Sequence, residues 1–438
     1  MKKTGHFLYL AILLLLPSLA SALDWGVNST TLLRFEQRAI PGFPRRTVIP
    51  ATQFIGADLD KIGDGNLSLH MYGWGRVDLV DRSTAGGDTD GDLAFAYLSY
   101  RFPTANGEIK AGRFFVREGV AVEQIDGVSA RADLQKGFAI SLFGGAPVRL
   151  DMTEKNKGSY ICGGRASFRM AGILELGVSG LHEGRVRIDP VTGIMDDRQM
   201  VGGDIWFSPI RFIELNGHTF YNAATGGLAE HSYLLGIRPL KPLSIFASYD
   251  EQLFKNFFTY SNIRSLFNPD NGGELKSYGG GVTWVVIAPL EVTADYRRYN
   301  RASNVNNPFN TDSNGNSNRY GGEARLTMFD KKVRSGLSYH RADGASGFNS
   351  YHEVRGYGLY DSGRYVASLD AIGQFYKNSI FGKREAYEVI GSAGYRILPG
   401  ILLSGDLSYG RNPQFSDELR GVLRLTYNYN SAYKGAKK

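Results

Sequence analysis

Residues 418–429 alternate between two kinds of side chain. Leu419, Gly421, Leu423, Leu425, Tyr427 and Tyr429 share one parity; Glu418, Arg420, Arg424, Thr426 and Asn428 share the other. A strand sends successive side chains to opposite faces, so this period of two makes a ribbon with one apolar and one polar face. The pattern recurs along the chain. In 67–79, Leu67, Leu69, Met71, Val77 and Leu79 oppose His70, Arg76 and Asp78. In 290–297, Leu290, Val292, Ala294 and Tyr296 oppose Glu291, Thr293, Asp295 and Arg297. In 401–409, Ile401, Leu403, Leu407 and Tyr409 oppose Ser404, Asp406 and Ser408. A soluble sandwich shows the same alternation but also needs fully apolar strands to fill its core, and almost none occur here. Segments of about ten residues, apolar outward and polar inward, predict a transmembrane β-barrel.

Two kinds of break separate the segments. Tight ones carry Gly or Pro, which close hairpins through φ > 0 or a preset φ. They fall at Gly63-Asp64-Gly65, Pro103 to Gly107, Gln135 to Gly137, Met170 to Gly172, Ser208 to Ile210, Pro239 to Pro242, Ala288-Pro289, Asp330 to Lys332, Asp361 to Gly363 and Leu398 to Gly400. Longer breaks rich in Asn, Asp, Ser and Gly fall at 81–91, 184–197, 254–274 and 301–317. In bacterial barrels short turns are periplasmic and long loops extracellular. These turns, with both termini periplasmic, predict an all-β fold: one antiparallel transmembrane barrel of about 22 strands (roughly 20–24), without a plug domain.

The chain ends fit that reading. Lys2 and Lys3, the apolar run Phe7 to Leu16 and the small residues Ala20-Ser21-Ala22 predict a secretory signal peptide over 1–22. The barrel is expected over 23–429, in the bacterial outer membrane. A polar tail follows at 430–438, ending Lys437-Lys438; it reads as a disordered end or as a contact for a periplasmic partner. No Cys follows the cleavage site, which argues against a lipid anchor, and no apolar run is long enough for a spanning helix.

Composition sharpens the picture. The 55 Gly, 25 Tyr and 25 Phe suit twisted strands with aromatic girdles. The single Cys162 excludes an internal disulfide and covalent haem attachment; its parity, shared with Tyr160, Gly164, Ala166 and Phe168, faces lipid. The net charge of +7 is dispersed, with no basic run, so no nucleic-acid partner is expected.

Candidate chemistry is sparse. No nucleophile elbow, zinc-protease helix or phosphate loop occurs, so an enzyme is not expected. His70 and His340 have inward parity and read as solvated lumen side chains, because no orienting partner stands at useful spacing. Asp88, Asp90 and Asp92 have the opening spacing of a calcium loop, but Leu93 and Ser99 stand where Gly and Glu are needed. They read as a solvated surface loop or as a weak cation bridge to lipopolysaccharide. The long loop 254–274, with Phe257, Phe258, Tyr260, Arg264 and Phe267, folds into the pore or caps it outside.

Size then carries the functional question. A 22-strand barrel with neither plug nor long loop would be a wide leak, so either something fills it or the strand count is too high. The segment Gly112-Arg113-Phe114-Phe115-Val116, with Ile125-Asp126-Gly127-Val128, Arg131-Ala132-Asp133-Leu134 and Gly137-Phe138, resembles the porin-like subunits of porin–cytochrome electron conduits. The resemblance covers residues 108–145. It implies a barrel without cofactors that sheathes a multihaem cytochrome, with haem carried only by that partner. Inward Arg76, Arg101, Glu323, Arg325, Arg334, Asp406, Arg420 and Arg424 would then face the partner or its haem propionates. The alternative is a passive diffusion porin for small polar or anionic solutes. In that case the same residues, with Asp78, Asp295 and Arg297, set selectivity.

Overall fold

The structure is a computed structural model that describes residues 24–38, 46–63, 65–83, 87–148, 159–188, 195–253, 256, 274–302, 316–344, 350–413 and 417–431. The predicted signal peptide and nearly all of the predicted tail lie outside these residues, as does most of 254–274 and 301–317.

The chain runs through β1 (Asp24–Arg38), β2 (Arg46–Val48), β3 (Pro50–Ile62), β4 (Leu67–Asp78), β5 (Thr89–Arg101), β6 (Gly107–Glu118), β7 (Ala121–Asp133) and β8 (Phe138–Pro147). It continues through β9 (Tyr160–Met170), β10 (Leu174–Ile188), β11 (Met195–Ile210), β12 (Ile213–Asn222), β13 (Gly227–Leu240), β14 (Leu243–Leu253), β15 (Glu274–Ile287) and β16 (Leu290–Ala302). The wall ends with β17 (Ser317–Met328), β18 (Val333–Gly344), β19 (Tyr351–Asp361), β20 (Tyr365–Ile380), β21 (Lys383–Leu398), β22 (Ile401–Arg411) and β23 (Glu418–Asn430). From β3 onward each strand pairs antiparallel with the next, and β1 pairs with both β3 and β23. The short β2 pairs only with the end of β1 and prolongs β3, so the closed wall has 22 strands. Closure removes the sheet edges that lipid would otherwise leave without hydrogen bonds, except over Thr89–Phe95 of β5, which have no ladder partner on the β6 side.

Side-chain parity orients the wall as the alternation predicts. Leu407, Leu423, Val178 and Leu369 point outward, each more than half exposed. Tyr233, Tyr249 and Tyr278 follow one another across β13–β15, and Tyr296 stands beside Tyr320 across β16–β17. These outward rings form one girdle. Phe138 with Phe168 and Trp25 with Tyr429 belong to the opposite end, their ring centroids 5.1 and 4.6 Å apart. An apolar exterior between aromatic girdles makes this a barrel of the bacterial outer membrane. The ten predicted tight turns all lie at one end, some shifted by two residues: β11 runs on to Ile210 and β12 starts at Ile213. Tight turns also occur at the outer end, at Gly119-Val120 and Phe381-Gly382, where the sequence carried no expectation of them.

One hairpin leaves the wall. β5 and β6 pair from Arg101↔Glu108 only as far as Ala96↔Arg113, although β5 stays paired with β4 out to Thr89. Beyond that point β6 pairs only with β7. The crease is built on glycine. Gly112 has φ +129°, and Gly112 faces Gly127, which in turn faces Gly145. A Cβ at Gly112 would strike the Ala96 carbonyl, and one at Gly127 the Gly144 carbonyl. Only glycine tolerates both that φ and that approach.

Candidate functional site

Beyond the crease, β6–β7 folds inward and lies against the inner faces of β8–β12. Here the inward parity stops being polar. Phe114, Val116, Val120, Ala121 and Ile125 of the hairpin are buried together with Phe143, Ile161, Leu181 and Met200 of the wall. The wall residues follow one register row, Phe143↔Gly163↔Leu181↔Met200. Gly163 makes room for the Phe143 ring, which a Cβ there would overlap. Gly202 does the same for Val120. Each large apolar side chain taken out of lumen water is worth roughly 1.5–3 kcal/mol, enough to hold a hairpin of this size down. At the tip, the Val120 amide donates to Ser179 Oγ at 3.0 Å. On the flank, Arg198 pairs with Glu123 of the hairpin and, at 3.5 Å, with Glu183.

The opposite side of the lumen is a field of paired charges. On β16–β20, Asp295 accepts from His340 Nε2 at 2.9 Å and lies 3.7 Å from Arg319. Arg319 also pairs with Glu353 at 3.1 Å, and Gln374 donates to Glu353 at 2.9 Å. Arg325 bridges Glu323 at 2.8 Å and Glu291 at 3.2 Å. Arg297 donates to Ser248 Oγ at 2.7 Å and faces Asp250 at 3.6 Å. On β22–β23, Arg424 lies 3.4 Å from Asp406, while Arg420 donates to Glu418 at 2.7 Å.

The sequence-predicted residues thus divide. Asp295, Arg297, Glu323, Arg325, Asp406, Arg420 and Arg424 lie on the polar parity of their strands, each with a partner of opposite charge. Arg101 and Arg334 sit at the periplasmic ends of β5 and β18, away from this field. Asp78 is buried and accepts from both the amide and the hydroxyl of Ser83, which ties the β4–β5 connection rather than lining a path. Arg76 faces Asp90 at 3.7 Å. The cation reading of Asp88, Asp90 and Asp92 is corrected. Asp90 and Asp92 belong to β5, and the three carboxylates turn to three different arginines, Arg82, Arg76 and Arg113. Among the described residues no group of three or more such ligands converges on one point. His70 does have a partner, Asp58 at 2.7 Å, and so does His340. The pairs are cross-strand, and linear spacing does not reveal them. Cys162 is exposed on the outward face as its parity predicts.

The hairpin is the feature the sequence reading missed. Its signal was present: Phe114, Phe115 and Val116 make both parities apolar, against the rule that the rest of the wall obeys.

No protein family matches the chain, and no curated protein matches it. Among solved structures it is similar to a mutant of the ferric enterobactin receptor PfeA from Pseudomonas aeruginosa. That alignment has a TM-score of 0.58 at 10% identity, and covers 93% of this chain and 80% of that one. OccK8 (OprE) from P. aeruginosa aligns with a TM-score of 0.45 at 11% identity over 93% and 98% of the two chains. OccAB3 from Acinetobacter baumannii aligns with a TM-score of 0.45 at 10% identity over 93% and 99%. At such identities the likeness to PfeA establishes the barrel fold alone.

Proposed function

We propose that the barrel is a passive diffusion channel for small polar solutes. The infolded β6–β7 hairpin carries this reading, because it narrows a lumen of 22 strands without closing it by a separate plug. The charges on the facing wall occur as neighbouring pairs of both signs, which favours hydrated polar solutes and gives only weak preference for either ion sign. The sheath for a multihaem cytochrome is less well supported. It needs a lumen free to take a folded partner, and within residues 108–145, which carry the resemblance to conduit subunits, the infolded tip of the β6–β7 hairpin takes up part of that lumen.

Two measurements on the barrel purified without denaturation test the proposal. Monosaccharide-driven swelling of liposomes and stable single-channel currents in planar bilayers are the expected results. A barrel that conducts nothing and co-purifies with a haem spectrum would overturn the channel and favour the sheath.

A further inference from the structure

Folding the hairpin inward leaves a seam in the wall. Thr89–Phe95 of β5 keep β4 on one side and have no ladder partner on the other. The outward neighbours of the seam are apolar: Leu93, Ile55 and Val77 are all more than two-fifths exposed. In lipid, backbone groups at such an edge must find partners. Side chains supply two of them. Arg113 Nη1 donates to the Leu93 carbonyl at 3.1 Å, and the Gln124 amide donates to the Ala94 carbonyl. Arg113 is itself aimed by Asp126, to which Nε and Nη2 donate at 2.7 and 2.9 Å, and by Asp92 at 3.3 Å. A ladder has thus been exchanged for a side-chain latch.

Both sides of the latch are apolar. Inside, Phe54, Tyr72, Phe95 and Tyr97 run across β3–β5 at centroid spacings of 6.3, 5.6 and 5.9 Å, all at lumen-facing positions, and Phe114 continues the row at 6.0 Å. The hairpin turns its own back to the lumen with Phe115 53% and Val122 69% exposed. Arg117 shares that face, exposed and with no ion pair or hydrogen bond among the described residues. A recess of about 980 Å³ reaches this edge from β1 and β3, lined by Thr31 and Gln53 as well as by Trp74 and Gly75 of β4 and Gly91 and Leu93 of β5.

We propose that this seam is a lateral port, through which a single-chain amphiphile with an anionic head passes between the outer leaflet and the aromatic strip of the lumen. The chain lies on Phe95, Phe115 and Val122, and the head meets Arg117. Arg113 and Gln124 hold the port shut between passages.

The test uses the intact barrel in phospholipid vesicles and a twelve-carbon alkyl sulfonate with a photoreactive chain end. Labelling is expected on Phe95, Phe115 and Val122. Arg117→Gln lowers it about tenfold, the weight of one charge-assisted contact, and Arg113→Ala raises it. Arg117 is exposed, so its substitution leaves folding intact. Label confined to outward positions such as Leu98 and Ile109, or indifferent to Arg117→Gln, overturns the port. Glucose permeation in the same vesicles reports the axial channel separately, so either route can fail without the other.

Discussion

His340 Nε2 lies 2.9 Å from Asp295 Oδ1, although a whole strand runs between the two that carry them. The contact exists because Gly321 holds the intervening register position, Asp295↔Gly321↔His340. A Cβ there would strike the Tyr339 carbonyl and the His340 ring. The missing side chain lets an imidazole lie over β17 and reach the next carboxylate. Arg319 stands 3.7 Å from the same Asp295 in the neighbouring row, so one carboxylate faces both an imidazole and a guanidinium.

That sharing makes Asp295 the sensitive point of the charged wall. Asp295→Asn leaves Arg319 with Glu353 alone and removes one negative charge from the lumen. The zero-current potential across a potassium chloride gradient is expected to move toward anions, with the permeability ratio changing roughly two-fold. Arg319→Gln should move it the other way. Equal potentials in both variants would show that this field does not set selectivity.

The hairpin tip gives the second prediction. Val120 is buried among Leu181, Met200 and Phe220, whereas Val122, two residues on, is exposed. Val120→Asp forfeits roughly 1.5–3 kcal/mol of apolar burial and sets a carboxylate against apolar neighbours. The tip should leave its seat and single-channel conductance should rise, roughly two-fold for a lumen cleared on one side. Val122→Asp is the control and should leave conductance near the parent value. Identical currents from all three proteins would mean that the hairpin does not narrow the path.

The crease gives the third. At φ +129° Gly112 stands where an L side chain is strained, at a cost of about 1–2 kcal/mol, and a Cβ would also meet the Ala96 carbonyl. Gly112→Ala should therefore destabilise the infolded state and lower the temperature at which the barrel loses its compact gel mobility. Gly358, where a Cβ would meet nothing, is the matched site: Gly358→Ala should leave that temperature unchanged.

The wall was legible in the sequence because its physics is local. Parity needs only neighbouring residues, and Gly or Pro marks each turn where it stands, so Leu423, Arg424 and Leu425 could be assigned faces and the strands counted. The contents of the lumen were not legible, because they depend on registers between distant strands. Nothing in the spacing of Asp295, Gly321 and His340 announces that they form one row. The same holds for Phe143, Gly163, Leu181 and Met200. What the sequence did offer was a violation of its own rule. Phe114, Val116 and Ile125 are apolar at inward parity, where other strands carry Arg, Asp or Thr, and a local departure from a global pattern marks a place where the fold does something else.

That row supplies the last prediction. Gly163 lies beneath the Phe143 ring and against the Gly180 carbonyl, both of which a Cβ there would strike, and the ring in turn supports the hairpin. Gly163→Val should push the ring toward Phe114 and unseat the hairpin, raising conductance and lowering thermal stability. Phe143→Ala alone should cost about 3–5 kcal/mol through the cavity it leaves. If the two effects act through the same few cubic ångströms, they cannot add. The valine fills part of the space the ring vacates, so the double variant should be more stable than the sum of the single losses predicts, by an interaction of about 0.5–3 kcal/mol. Denaturant midpoints for the four proteins of this cycle measure it. Strict additivity would show that Gly163 and Phe143 act on the barrel independently and that the hairpin seat does not depend on their fit.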